Sequence, residues 1–176
     1  MAKHSNVSLD SQCLSYLIDA MADIREPTDA LAPQRLALFR SYLYRPGGLV
    51  TTPTVMVECR RIRDAARAEF HESWIHTLFG EAQPIDPAQI DARTTQLLDF
   101  HSDPDDCQIL AETEDAGLTT LLSFDFDFIS HLADKTTVNL LRPNDFWQSL
   151  KIPRGAHPVN VPHHTNPLAQ VSWWRW

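Results

Sequence analysis

Two carboxylates of this chain each follow a short apolar segment. Asp10 comes directly after residues 6–9, and Asp125 comes just past residues 118–123. Both segments have the composition of short buried strands. Ligands of an open parallel sheet bind beyond the carboxyl ends of its strands, so we expect Asp10 and Asp125 to lie at a ligand-binding edge.

Two further carboxylates lie on helical faces that are predicted to point inward. Glu58 shares a stripe with Val55, three residues before it, and Ile62, four residues after it. Asp106 repeats the pattern, because apolar residues follow it at three and four positions. Unpaired charge is rare in protein interiors, so these positions predict that all four carboxylates converge on one site.

A cluster of four carboxylates requires cations. Two carboxylates about 4 Å apart repel by roughly 4 kcal/mol at an effective dielectric constant of ~20. Oxygen ligands without a matching cysteine or histidine motif favour Mg²⁺ or Mn²⁺ over zinc. Such ions activate water, orient a phosphate group and stabilise the departing oxygen. The pattern therefore favours metal-assisted phosphate chemistry.

The same acids also have structural interpretations. Asp10 could cap a helix, and the aspartates of residues 103–106 could be first-turn acids that the helix dipole favours, each role contributing about 0.3 to 2 kcal/mol. Asp127 is expected to be solvated or structural. The joint arrangement of the four carboxylates favours the metal-binding interpretation over these separate roles.

Strands alternate with helices along the chain, which favours a parallel sheet covered on both faces. The predicted strands are residues 6–9, 49–52, 118–123 and 137–141. The predicted helices are residues 11–21, 33–44, 53–70, 87 to about 101, 103–116 and 144–150. Pro53 marks a helix start and Gly117 a helix end. Residues 151–176 lack periodicity, so we expect an irregular C-terminal tail after one domain of residues 1–150.

Composition agrees with a single domain. With 176 residues and 43% hydrophobic content, the chain can bury a core without disulfides. Its three cysteines are far apart and free of C-x-x-C spacing, so they are expected to be small buried residues in a reducing cytoplasm. No apolar stretch approaches the ~20 residues of a membrane helix, so no membrane association is expected. A formal net charge of −8 argues against broad electrostatic binding of nucleic acid but leaves room for a local basic patch.

Four stretches of sequence carry a resemblance to a known family. VSLDSQCLSYLI, TTPTVMVECRRI, DDCQILAETEDAGLTTLLSFDFDF and VNLLRPNDFWQSL occur in this order over about residues 6–150. No single stretch is specific, but the ordered set resembles PIN-domain proteins, and most of all the VapC-type ribonuclease toxins of bacterial toxin–antitoxin pairs. The resemblance implies an α/β/α sandwich with a central parallel sheet, of PIN-like and Rossmann-like type. It also implies Mg²⁺- or Mn²⁺-dependent RNA hydrolysis, a homodimer and an antitoxin partner.

By position, the resemblance assigns the metal-binding and catalytic acids of that family to Asp10, Glu58, Asp106 and Asp125. Ser11 and Ser123 occupy the places of the family's supporting hydroxyls, Ser123 standing in its T-x-D step. Gln12 stands where the family often has asparagine.

Two neighbouring acids remain alternatives in this assignment. One extra residue between Gly117 and Asp125 leaves Asp127 as a second choice for the fourth acid. Asp105 likewise competes with Asp106.

An arginine run begins two residues after Glu58 and consists of Arg60, Arg61, Arg63 and Arg67. It could hold the RNA backbone, or it could be a solvated helix face. The tryptophans of the C-terminal tail could stack on bases, or they could pack against the domain or a dimer mate.

Two other functions fit parts of the sequence. The D-F-D of residues 125–127 after a strand suggests a haloacid-dehalogenase-type phosphatase, but such enzymes carry D-x-D after the first strand, where this chain has Asp10-Ser11-Gln12. The second is a PIN-like binding or scaffold module without catalysis. The presence of all four acids favours the nuclease over this module.

Overall fold

A five-stranded, all-parallel sheet forms the centre of the computed structural model, which describes residues 6–23, 25–45 and 47–176 apart from the side chains of Asp23 and Leu78. The strands are β1 (Val7–Leu9), β2 (Leu49–Thr51), β3 (Gly80–Glu81), β4 (Thr120–Leu122) and β5 (Asn139–Leu141). Their order in the sheet is β3-β2-β1-β4-β5. The predicted α/β class with a central parallel sheet is confirmed.

Helices connect the strands in the alternation that the sequence predicted. They are α1 (Ser11–Asp23), α2 (Ala32–Tyr44), α3 (Pro53–Arg60), α4 (Ala65–Leu78), α5 (Pro87–Leu97), α6 (Pro104–Asp115), α7 (Phe126–Leu132) and α8 (Pro143–Ser149). The chain moves outward from β1 through β2 to β3, and then restarts at β4 on the other side of β1. Right-handed crossovers in opposite directions cover both faces of the sheet. The reversal creates a crevice beyond the carboxyl ends of β1 and β4, where ligands of such sheets bind.

Local signals account for most helix boundaries. Asp103 and Asp125 each accept two backbone N–H groups of the helix that follows, as N-cap side chains do. Gly117 ends the turn after α6 with a φ of 67°, a left-handed conformation that glycine adopts without strain.

The continuous helix predicted for residues 53–70 is wrong, because α3 ends at Arg60 and α4 begins at Ala65. The Asp64 side chain accepts the N–H of Arg67 at 2.8 Å and caps α4 inside what looked like one periodic segment. The helix predicted to reach about residue 101 ends at Leu97. The two-residue strand β3 and the helix α7 had no predicted counterpart.

The C-terminal tail, residues 151–176, is irregular as predicted apart from a short 3-10 helix at Pro167–Gln170. Trp174 is fully buried, and its indole N–H donates to the carbonyl of Leu168 at 3.0 Å. Trp176 packs edge-on against Trp147 of α8 with ring centroids 5.5 Å apart. Packing against the domain is therefore the role that the structure assigns to these two side chains.

Cys13, Cys59 and Cys107 are all free and buried, as predicted from their spacing. Across the described parts of the chain, none of the helices is both long and apolar enough to cross a membrane.

Candidate active site

Asp10 and Asp125 lie beyond the carboxyl ends of the two central strands. β1 and β4 pair in parallel with Leu9 opposite Leu122, and the Asp10 N–H donates to the Leu122 carbonyl at 3.0 Å. Ser123 then bridges the two acids: its hydroxyl oxygen accepts the Asp125 N–H at 2.9 Å, and its side chain hydrogen-bonds the Asp10 carboxylate. Ser123 thus links the two strand-end acids, while the Asp125 carboxylate itself caps α7.

Asp10 is a buried carboxylate with only 5% of its surface exposed. Burial raises its pKa, and hydrogen bonds from Ser123 and Cys13 oppose that rise. The Cys13 N–H, in the first turn of α1, donates to Oδ1 of Asp10 at 2.6 Å. Asp10 therefore does cap a helix, as its structural interpretation required, and its charge also acts on Asp106.

Glu58 is half-buried on α3 and faces the start of α6. The Ser11 hydroxyl donates to Oε2 of Glu58, which ties α3 to the start of α1. Burial raises the pKa of Glu58, and so do the negative charges of the three aspartates of residues 103–106, whereas the bond from Ser11 lowers it. The acid of α3 and the acids of α6 therefore share one negatively charged region.

Asp106 belongs to the same region through α6. Burial raises its pKa to about 6; a hydrogen bond from His101 opposes the rise, while the charges of Asp103 and Asp10 add to it. Nε2 of His101 lies 3.0 Å from Oδ2 of Asp106. Nδ1 of the same ring lies 3.3 Å from Nδ1 of His131 on α7, the helix that Asp125 caps.

Sequence reasoning missed His101 and its neighbour His131. His101 is buried, with 8% of its surface exposed, yet it lies between two helices and belongs to no periodic pattern. Its position two residues before the Asp103 cap is the only local signal that it would lie near the acids.

Glu112 is a second buried residue that sequence reasoning missed, and it holds α3 against α6. Its carboxylate accepts both the N–H and the hydroxyl of Thr54, at 3.1 and 2.7 Å. Thr54 lies in the first turn of α3, so Glu112 supplies from α6 the capping interaction that the helix's own N-cap residue, Thr52, does not make. Its position three residues after buried Ile109 was the available signal, because an acid on that face needs a partner.

The two alternative acids occupy different surroundings. Asp105 forms an ion pair with Arg61 at 2.6 Å and contributes to the negative charge around Glu58. Asp127 is exposed in the first turn of α7, where its N–H donates to the Asp125 side chain.

The four predicted RNA-binding arginines do not share one helix. Arg60 ends α3 and approaches Glu72 at 3.7 Å, while Arg61 and the exposed Arg63 lie in the link to α4. Arg67, on α4, forms two bonds to Asp19 at 3.2 and 2.7 Å.

The donor chemistry of the site suits a hard divalent ion, because buried or half-buried carboxylates raise one another's pKa values and supply only oxygen ligands. As the side chains stand, no group of three or more Asp, Glu, His or Cys residues is close enough to hold a metal ion within the ranges that the structure describes. Glu58 and Asp106 instead bond to Ser11 and His101.

No protein-family model and no curated protein matches this sequence. Among solved structures, the fold is similar to the crystal structure of VapC20 from Mycobacterium tuberculosis, a sarcin-ricin loop cleaving toxin. The TM-score is 0.52 at 18% sequence identity, and the match covers 76% of this chain and 98% of that chain. A likeness at this level of identity establishes a shared fold.

Proposed function

We propose that this protein is a divalent-metal-dependent endoribonuclease of the PIN-domain type that hydrolyses RNA phosphodiester bonds. The observation that carries the proposal is the closeness of Glu58 to the aspartates of residues 103–106 and of Asp106 to Asp10, where burial and like charge raise the pKa values of Glu58 and Asp106. Such a region gains free energy by binding cations. Its fold, similar to that of a ribonuclease toxin, supports the proposal.

Asp10, Glu58, Asp106 and Asp125 would hold Mg²⁺ or Mn²⁺, directly or through water. When bound, such an ion supplies a Lewis acid that makes water nucleophilic near neutral pH and stabilises the leaving oxygen. The chain itself positions the ligands: Cys13 and Ser123 fix the Asp10 carboxylate, and Ser11 orients Glu58. These bonds hold each carboxylate near the proposed metal position, and small side-chain rotations of Glu58 and Asp106 would complete the ligand set.

The biological setting is also part of this proposal. The ordered sequence stretches and the toxin-like fold support a role as the toxin of a toxin–antitoxin pair, acting in the cytoplasm as a homodimer with a cognate antitoxin.

A non-catalytic PIN-like module is the second candidate. One observation favours it: among the residues described, the acids form no ready-made group of three that could hold a metal ion. Binding of RNA without cleavage would then be the whole activity.

Cleavage of a mixed single-stranded RNA pool distinguishes the two candidates. We expect cleavage by the wild-type protein with Mn²⁺, and none with a chelator or with Asp10→Asn, which keeps the shape of the buried side chain. Asp91→Asn is the matched control, because it removes an exposed carboxylate of α5 that is not a proposed ligand and should leave cleavage unchanged. Equal activity of Asp10→Asn and wild type would contradict the nuclease, and an inactive, folded wild type that still binds RNA would support the module.

A further inference from the structure

A groove is lined by α1, by the loop of residues 25–31 that leads into α2, and by single side chains of α2 and α4. It has a volume of about 480 Å³, within the roughly 300 to 1,000 Å³ of typical ligand sites. We call it the Tyr16 groove, after one of the residues that line it. Gln12, two residues after Asp10, and Phe124, directly before Asp125, both line it. The groove is therefore bounded by the chain segments that follow β1 and β4 and that also contain the two strand-end acids.

A stacked pair of side chains forms one wall of the Tyr16 groove. The Arg35 guanidinium lies over the Tyr16 ring at 4.9 Å from its centroid, and Asp29 holds it with an ion pair at 2.8 Å. Phe124 supports the same ring edge-on, with centroids 6.2 Å apart. One-third of the Arg35 side chain is exposed, although its Nε is buried, so part of its planar group is held in place yet accessible. Guanidinium planes of this kind stack on unpaired bases.

A second guanidinium lines the groove and is fixed independently. Nε and Nη2 of Arg67 both bond to the Asp19 carboxylate, and about half of the Arg67 side chain remains exposed. Asp19 also lies 2.8 Å from Nε2 of the buried His71, so its own position is set by a second partner. An arginine anchored in this way keeps N–H donors for a phosphate group without losing much side-chain entropy on binding.

The charge of the groove decides how much of a nucleic acid it can hold. Its lining contains three arginines and three acids, so it has no excess positive charge. A basic track along several phosphates would need such an excess. Two fixed guanidinium groups beside an aromatic ring instead match a single nucleotide, with one base and one phosphate.

We propose that the Tyr16 groove binds one unpaired RNA nucleotide next to the phosphodiester that the carboxylates address, with its base on Arg35 and its phosphate on Arg67. This inference rests on the proposed nuclease function and specifies how the substrate lies. Because a paired base could not leave its helix to stack on Arg35, the groove selects single-stranded segments or loops over duplex RNA.

The test measures RNA binding apart from cleavage. All variants are made in the Asp10→Asn protein, and binding of a fluorescently labelled single-stranded RNA pool is followed by anisotropy in the presence of a chelator. We expect Arg35→Ala to weaken binding about 5- to 150-fold, the range for loss of one stacking contact. Arg67→Ala should weaken binding by at least about fivefold and flatten the salt dependence, whose slope should correspond to about one or two phosphate contacts.

Three further variants separate stacking from charge and from misfolding. Arg35→Lys keeps the charge without the planar group and should bind nearly as poorly as Arg35→Ala. Tyr16→Leu removes the ring under the Arg35 guanidinium and should weaken binding as Arg35→Ala does. Arg154→Ala is the matched control, because Arg154 also stacks on an aromatic ring, that of Trp176 at 5.1 Å, and does not line the groove.

The outcomes separate this inference from the nuclease proposal. If the wild type cleaves RNA with metal but Arg35→Ala and Arg67→Ala bind like the parent, the groove does not hold the nucleotide and the nuclease stands. Parent-like binding by Arg35→Lys would overturn the stacked base. If the wild type does not cleave and the Asp10→Asn protein does not bind RNA, both proposals fail.

Discussion

At the scale of single residues, the candidate site is a set of carboxylates whose ionised forms are disfavoured by burial. Asp10 is buried in the crevice, Glu58 and Asp106 are half-buried, and each has a raised pKa with burial as the main cause. Such groups reduce the stability of the metal-free protein at neutral pH, because folding takes their charges out of water. Proteins accept that cost at sites where a cation later offsets it.

The pH dependence of stability should report Asp106. Its pKa in the folded protein, about 6, lies above the ordinary 3.8. The native state therefore binds this proton more tightly than the unfolded state does, and the stabilisation is complete below about pH 4 and lost as the pH rises to about 6. Without metal, we expect deprotonation of this group to lower the free energy of unfolding over that window.

Urea unfolding of wild type and Asp106→Asn across that pH range measures the effect. In Asp106→Asn, the free energy of unfolding should no longer show this fall as the pH rises, whereas in Asp127→Asn the fall should remain. Added Mn²⁺ should reverse the trend in the wild type, because ligation requires the deprotonated carboxylate. If the free energy of unfolding depended on pH in the same way in wild type and Asp106→Asn, the pKa of Asp106 would not be raised in the folded protein.

His101 should act as a positioning residue for Asp106. Replacing it with leucine removes the 3.0 Å bond to the carboxylate and raises the pKa of Asp106 further. We expect Mn²⁺ affinity, measured by titration calorimetry, to fall about 10- to 100-fold, as for other partners of metal ligands.

His101→Gln supplies the counterpart, because its amide can still donate toward Asp106 and should restore part of the affinity. His76→Ala, an exposed change on α4, is the control. If His101→Leu and His101→Gln bound Mn²⁺ equally well, the histidine would serve packing alone.

At the scale of secondary-structure elements, the site depends on how α3 and α6 are joined. α3 carries Glu58 and α6 carries Asp106, and the bonds from Thr54 to Glu112 hold the start of α3 against α6. Ser11 then links Glu58 to the start of α1. Three helices that are distant in sequence thus place their acids in one region through a few buried polar contacts.

Glu112→Ala should therefore cost stability and metal affinity together. It leaves the buried N–H and hydroxyl of Thr54 without their acceptor, which costs about 1 to 3 kcal/mol. Glu112→Gln keeps one acceptor oxygen and should lose less. Chemical unfolding gives the stability change, and Mn²⁺ titration shows whether the displacement of α3 reaches Glu58.

The exposed Glu69→Ala on α4 serves as the control, with a change expected within about 0.5 kcal/mol. Equal free energies of unfolding for Glu112→Ala and for this control would contradict a stabilising role of the bonds between Thr54 and Glu112.

At the scale of the whole molecule, the C-terminal tail completes the core. Trp174 is fully buried, its ring meets Tyr44 of α2 edge-on with centroids 6.4 Å apart, and Nε of Arg40 donates to its carbonyl at 3.2 Å. The tail therefore packs its tryptophans against the C-terminal end of α2 and against α8. The lack of periodicity in residues 151–176 did not predict this packing.

Trp174→Ala should destabilise the protein by about 3 to 5 kcal/mol, as expected for removing a large buried aromatic side chain. Trp173→Ala is the matched comparison, because Trp173 is only partly buried against Phe39, with centroids 5.2 Å apart, and should cost less. Thermal unfolding monitored by circular dichroism measures both changes. Equal losses for the two variants would mean that the burial of Trp174 does not decide the stability of the tail.

Local patterns explain which features were predictable. The strands that carry Asp10 and Asp125, and the caps and the glycine that bound α6, are encoded by residues adjacent in sequence. The break between α3 and α4 was not predicted, because its only signal is a single N-cap residue, Asp64, within a continuous periodic segment. β3 has only two residues, too few for any periodicity.

By itself, the sequence determined the α/β class and the strand-end positions of Asp10 and Asp125, because periodicity and caps act over a few residues. Only the tertiary structure decided which side chains meet. Thr54 and Glu112 are 58 residues apart in sequence, Asp19 and Arg67 are 48 apart, and His101 and His131 are 30 apart. Each contact depends on which helices pack together, and that depends on the burial of apolar surface over the whole chain, which no local pattern records.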